Sequence, residues 1–204
     1  MLLTNDQSNI IYDRLYDWLA VHTPGNHRGM STLIRYQKEV WAPVANVINI
    51  LSGKTVLSNE EQDFLKLVTY NGIIYRIQNY NPRERGYIFE SSNYQSWSRN
   101  IEGISKVSNI CGLVLLIVGT ACNGIDVFGL LHFLIKHQYI TIPIQNEYKK
   151  PSNLLRYEEE QEVAYPVMLK CINEIVAVEK DKLEDWLCPN MNIPRCKWKK
   201  NTFR

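Results

Sequence analysis

"RYEEEQEVAYP", residues 156–166, sets four glutamates (Glu158, Glu159, Glu160 and Glu162) directly ahead of an apolar run. "EQEVAY" reads as a strand, which would set Glu160 and Glu162 on one face and Gln161 and Val163 on the other. Two carboxylates held ~4 Å apart in an effective dielectric near about 20 repel by about 4 kcal/mol. A pair of this kind is either solvated or placed to meet a cation. Taken singly, the solvated face is the commoner case, and Glu158 and Glu159 read as solvated loop charges.

Working outward, the first third of the chain is helical in pattern. Ile11, Leu15, Trp18, Leu19 and His22 recur at three- and four-residue steps, which draws an apolar stripe. "STLIRYQKEVWAPVANVINIL" continues helically, with Pro43 as a kink or a break. Ser58 and Glu61 have capping-box spacing ahead of Phe64, Leu65 and Val68. After Asn71-Gly72 the character changes to strands: "IIYRIQNY", "GYIFESSNYQSWS", the uncharged "LVLLIV", then "EQEVAY" and "INEIVAV". "NPRER" reads as a turn, "LLHFLIKHQ" as a helix, "YITIPI" as extended and "QNEYKKPSNLLRY" as a polar loop. Helices first and strands afterwards predict an α+β fold. The expected organisation is a helical region over 1–57, a core over 58–185 and a basic tail over 186–204, together one compact domain.

The composition is that of a globular protein, with 45% hydrophobic and 22% charged residues among 204, and a net charge of +2 that demands neither a nucleic acid nor a membrane. The tail concentrates Arg195, Lys197, Lys199, Lys200 and Arg204 beside Trp198 and Phe203, a solvated end or a patch that meets phosphates. Five cysteines without a CxxC pair, and four histidines not spaced with them, predict reduced, mostly buried thiols, no metal and a cytoplasmic location. No basic segment followed by an apolar core opens the chain, so no secretion signal is expected. The apolar stretch at 112–135 is interrupted by Asn123, Gly124 and Asp126. It reads as a buried strand, a turn and a helix rather than a membrane span.

Two further short stretches carry chemistry-bearing residues. In "YRIQ", Arg76 shares a strand face with Ile74 and Gln78, while Tyr75 and Ile77 point the other way. A guanidinium in such apolar sequence needs an anionic partner, from a salt bridge or from a phosphate. In "SWS", Ser96 and Ser98 face one way, and Trp97 faces the other, where it can anchor the strand in the core.

The ordered set of Arg76, Ser-x-Ser (Ser96, Ser98) and Glu-x-Glu (Glu160, Glu162) resembles the arginine–serine–glutamate class of mono-ADP-ribosyltransferases. "EEQEVAYP" is similar to the E-Q-E-V/W-x-x-P run of the small bacteriophage T4-type members, and "SNEEQDFLKLV…IIYR" to the helix and strand that open their core. The likeness covers roughly residues 58–178. It departs from the family at Ile77, where glycine is usual, and in "SWS" for "STS"; Arg85, in "ERG", is a rival for the arginine.

The resemblance implies a split antiparallel β core with NAD, as substrate, in its cleft. It implies that Glu162 stabilises the ribosyl cation, that Ser96 orients Glu162 or the ribose, and that Arg76, with Ser96 and Ser98, binds NAD. Glu160 and Tyr157 would engage the acceptor, a protein arginine by the Glu-x-Glu pattern, inside a bacterial cell. Two alternatives stay open: an RNA-modifying toxin of a toxin–antitoxin or phage-conflict system, held silent by an antitoxin protein, and an inactive binding module of the same fold. No membrane partner is implied.

Overall fold

The computed structural model describes residues 2–21, 30–80, 90–105, 112–141 and 149–183. The rival Arg85, the end of the extended "YITIPI" and the basic tail lie outside them.

Helix α1 (Asn5–Tyr16) opens on a capping box between Thr4 and Gln7 and runs into a wider π-type segment at Asp17–Val21. Helix α2 (Met30–Tyr36) likewise passes through a π-type segment at Gln37–Trp41 into α3 (Ala42–Ser52). Pro43 comes just after that π-type segment and the helix runs on through it, so its missing N–H leaves one bond to the preceding turn unmade. Helix α4 (Asn59–Val68) starts where expected: Ser58 Oγ accepts from the Glu61 amide and the Glu61 carboxylate accepts from the Ser58 amide.

The strands are β1 (Thr69–Asn79), β2 (Ser91–Ser98), β3 (Leu113–Asp126), β4 (Glu162–Val167) and β5 (Ile172–Glu179). All pairings are antiparallel, in the order β1-β2-β4-β3-β5 with a further β1–β3 ladder. The fold is therefore a mixed helical and antiparallel α+β fold. β3 lies between β1 and β5 along most of its length, and β2 pairs with β4. Among the described residues these two groups pair as strands only at Tyr75↔Ser98, Ile125↔Ala164 and Asp126↔Val163. Elsewhere they part.

Three buried clusters fill the layers. Helices α1, α3, α4 and α6 (Val127–Lys136) pack around Trp18, Trp41, Phe64 and Phe133 and reach the sheet at Ile125 and Ala164. A second cluster, between the two strand groups, holds Ile74, Trp97, Ile117, Val163 and Tyr165. The third covers the far face of β1 and β3 with Ile101 and Ile104 of the short helix α5 (Ile101–Ser105). β3 is thus buried on both faces, as its uncharged run predicts. Gly129 lets α6 cross α4 closely, since a Cβ there would lie 1.8 Å from the Leu67 carbonyl oxygen.

Four expectations are corrected. The apolar stretch contains no turn: β3 runs through Asn123, whose φ of 59° marks a bulge opposite Asn71, and Asp126 ends the strand by capping α6. Asn71-Gly72 lies inside β1 and does not precede it. The loop "QNEYKKPSNLLRY" contains helix α7 (Pro151–Leu155), which begins at its proline and buries Leu154. Of the thiols described, Cys122 is exposed and Cys171 half-buried, so neither is a core residue.

Candidate functional site

A cleft of about 170 Å³ opens at the seam between β1 and β2. It is lined by Arg76 from β1, Ser96 and Ser98 from β2, Gly103 from α5, and Glu160 and Glu162. Five residues singled out in three separate stretches of sequence therefore meet in one place. Tyr157 does not line the cleft. It packs against the helical core and accepts a hydrogen bond on its hydroxyl from Arg156 Nη2 at 2.6 Å.

Strand periodicity positions the first members. Trp97 is buried, and its indole N–H donates to the Tyr165 carbonyl at 3.0 Å, which pins β2 to β4 and turns Ser96 and Ser98 to the opposite face. Arg76 shares the face of Ile74, which lies in the second cluster, whereas Tyr75 and Ile77 join the third. From there Arg76 Nη1 donates to the Ser96 carbonyl at 2.6 Å, holding the guanidinium at the cleft. Opposite Glu162 across the strand pair stands Ser98; Ser96 pairs with Ala164.

The glutamates reach the cleft by a different route from the one their spacing suggests. Glu160 is not on the strand. Residues Glu158–Glu160 form a single 3-10 turn, Gln161 adopts a left-handed conformation with φ 47°, and β4 begins at Glu162. A left-handed glutamine is strained by roughly 1–3 kcal/mol, and its surroundings hold it there. Its carbonyl accepts from the Arg99 amide at 3.0 Å, and its Oε1 accepts from Asn100 Nδ2 at 2.7 Å. Ser98 Oγ donates to the Glu160 carbonyl at 2.8 Å. The end of β2 and the residues that follow it thus clamp the turn between the two glutamates, and both residues line one cleft despite lying on different elements.

This proximity has an electrostatic consequence. Burial, and secondarily the charge of Glu162, pushes the Glu160 carboxyl up from 4.5 to about 7. The folded chain keeps a proton there over a pH range in which the unfolded chain has released it. Glu160 therefore costs no stability below about pH 4.5, and its penalty grows as pH rises to about 7 and then levels off. A shift of this size corresponds to ~3 kcal/mol, which solvent at the half-buried group reduces to about 1–2 kcal/mol. Glu160→Gln is expected to be more stable than the wild type by that amount at pH 8, with the gap closing toward pH 4.5. Urea denaturation at the two pH values checks it.

One partner of the site was not foreseen. Glu162 is only 5% exposed, and its Oε1 accepts a hydrogen bond from the indole Nε1 of Trp18 at 2.7 Å. Trp18 belongs to the apolar stripe of the N-terminal helix, and in sequence it reads as core. A tryptophan buried in such a stripe still carries an N–H that needs an acceptor, but nothing in the local sequence says that the acceptor lies 144 residues away.

Among the described residues, no three His, Cys, Asp or Glu side chains cluster closely enough to hold a metal ion, and no helix is long and apolar enough to cross a membrane. Comparisons with protein-family models, with curated proteins and with solved structures find no match.

Proposed function

We propose that this chain is an NAD-dependent mono-ADP-ribosyltransferase of the arginine–serine–glutamate class, acting on a macromolecule inside a bacterial cell. The observation that carries the reading is the meeting of Arg76, Ser96, Ser98, Glu160 and Glu162 in a single cleft. The parting of β2–β4 from β1–β3–β5 supports a split β core of the kind that resemblance implies.

The chemistry suits these groups. The bond between ribose C1′ and the nicotinamide nitrogen breaks, and its electron pair leaves with nicotinamide, which departs neutral and needs no general acid. Positive charge develops on the sugar, as in glycoside hydrolysis. The Glu162 carboxylate stabilises that cation, and stabilisation aimed at developing charge is usually the largest catalytic term. Arg76 holds the diphosphate through its planar fork of donors. The Ser96 and Ser98 segment borders the ribose. An acceptor arginine then forms the new C1′–N bond and loses a proton.

Glu160 is the group to take that proton. It is also the group whose charge state changes in the neutral range. Transfer to an arginine acceptor is therefore expected to rise about tenfold per pH unit up to about 7 and then level off, while nicotinamide release into water shows a weaker dependence. Parallel assays of labelled acceptor and free nicotinamide from pH 5.5 to 8.5 check this. A flat transfer profile, or a parallel rise in both, would remove Glu160 from the base role.

The decisive test incubates the pure protein with labelled NAD and a bacterial lysate divided into protease-, RNase- and DNase-treated portions, with Glu162→Gln alongside. Label that enters a macromolecule with the wild type alone supports the transferase, and protease-sensitive label supports a protein acceptor. RNase-sensitive label would move the target to RNA. Absence of both label and released nicotinamide would overturn the reading in favour of an inactive binding module.

A further inference from the structure

The N-terminal helices share no residue with the motif set, yet they supply the one side-chain hydrogen bond that Glu162 makes among the described residues. We infer that Trp18 is a positioning residue for Glu162: its indole N–H fixes the carboxylate at the cleft without neutralising it. The inference rests on the transferase reading above and assigns to that same site a residue outside its core.

The choice of donor is what makes the arrangement informative. A buried carboxylate normally recruits an arginine or lysine, whose positive charge would cancel the field that Glu162 has to present to a ribosyl cation. An indole N–H is a neutral, single donor with no acceptor capacity. It can satisfy Oε1 and set the side-chain torsions without adding a positive charge beside the carboxylate. Oε2 has no protein partner among the described residues.

The donor is itself held firmly. The Trp18 ring meets Tyr36 edge-on at 5.0 Å and Trp41 edge-on at 4.8 Å, and Trp41 stacks on Tyr94 of β2 at 6.3 Å. Trp18 is 2% exposed. Both Trp18 and Trp41 lie in π-type segments, local widenings that are frequent at functional sites. On β4, Glu162 and Ala164 share the face turned to the helices, whereas Val163 and Tyr165 face the second cluster. The first residue of β4 therefore sits where the cleft meets the helical layer, and Trp18 is the donor on the helical side.

Two measurements test this. The first follows the indole N–H resonance of Trp18 in ¹⁵N-labelled protein, assigned through contacts to the rings of Tyr36 and Trp41. A charged acceptor at 2.7 Å should shift it well downfield, and Glu162→Gln should move it back upfield while the other indole signals stay in place. The second compares steady-state nicotinamide release by wild type, Trp18→Phe and a variant with benzothienylalanine at position 18, which keeps the ring shape and lacks the N–H. Both variants are expected to lose about 10- to 100-fold in kcat, with KM for NAD within about threefold of wild type. A variant that merely loosened packing would lower the melting temperature without this split, and the benzothienyl ring separates shape from donation.

An indole signal indifferent to Glu162→Gln, or wild-type kcat in the benzothienyl variant, overturns the inference even if NAD is turned over. An inactive wild type whose Trp18 signal does respond to Glu162→Gln instead overturns the transferase reading and leaves the contact between the two residues standing.

Discussion

Glu162→Gln is expected to lower nicotinamide release and ADP-ribose transfer by about 10²–10³-fold, with the fold intact. Glutamine keeps the shape of the side chain and an oxygen able to accept from Trp18 Nε1, so the buried hydrogen bond has a replacement. What disappears is the negative charge facing a developing cation, and with it the repulsion that helps to raise Glu160. The melting temperature should therefore stay level or rise slightly, and Glu160 should titrate closer to the ordinary range. Single-turnover assays with NAD, beside thermal melts, separate the two effects. Wild-type turnover in this variant would remove Glu162 from the chemistry. A collapse in melting temperature would show that its role is structural.

The second large effect is expected at Gly103. Helix α5 passes so close beneath the glutamate turn that a Cβ at this position would lie 2.3 Å from the Glu160 carbonyl oxygen and 2.5 Å from Ser98 Oγ. The carbonyl is part of the clamped turn and cannot rotate away, since Ser98 Oγ is bonded to it and the Arg99 amide and Asn100 side chain hold the next residue. Gly103→Ala must push α5 and the turn apart. Overpacking of this kind costs about 1–3 kcal/mol. Displacing Glu160 and Glu162 by even ~1 Å should reduce transfer about 10²-fold. Chemical denaturation and kinetics on the same preparation check both numbers. Full activity at unchanged stability would mean that α5 does not support the turn.

Local rules reach far in this chain where a single element accounts for the pattern. The Ser58–Glu61 capping box starts α4 because both reciprocal bonds lie within one helical turn. Trp97 anchors β2 and turns its serines to the opposite face because side chains alternate on any strand. The same alternation sets Arg76 on the face of Ile74. The order of helices and strands is legible for a related reason, since hydrophobic period reflects which face each segment must bury.

The errors fall where the backbone leaves its regular period. Glu160 and Glu162 do face one cleft, but by way of a 3-10 turn and a left-handed Gln161 that Ser98, Arg99 and Asn100 hold from another strand's end. Asn123 resembles a turn residue, yet it forms a bulge because β1 offers Asn71 across the ladder. Residue types in short segments single out Arg76, Ser96, Ser98, Glu160 and Glu162, but taken singly each has a plainer reading, and the resemblance of their order to a known family is what joins them into one expected site. That Trp18 touches Glu162, and that Glu160 titrates near neutrality, depends on distances between residues far apart in the chain. Such distances are set by how the helical layer and the two strand groups pack, and no window of sequence contains them.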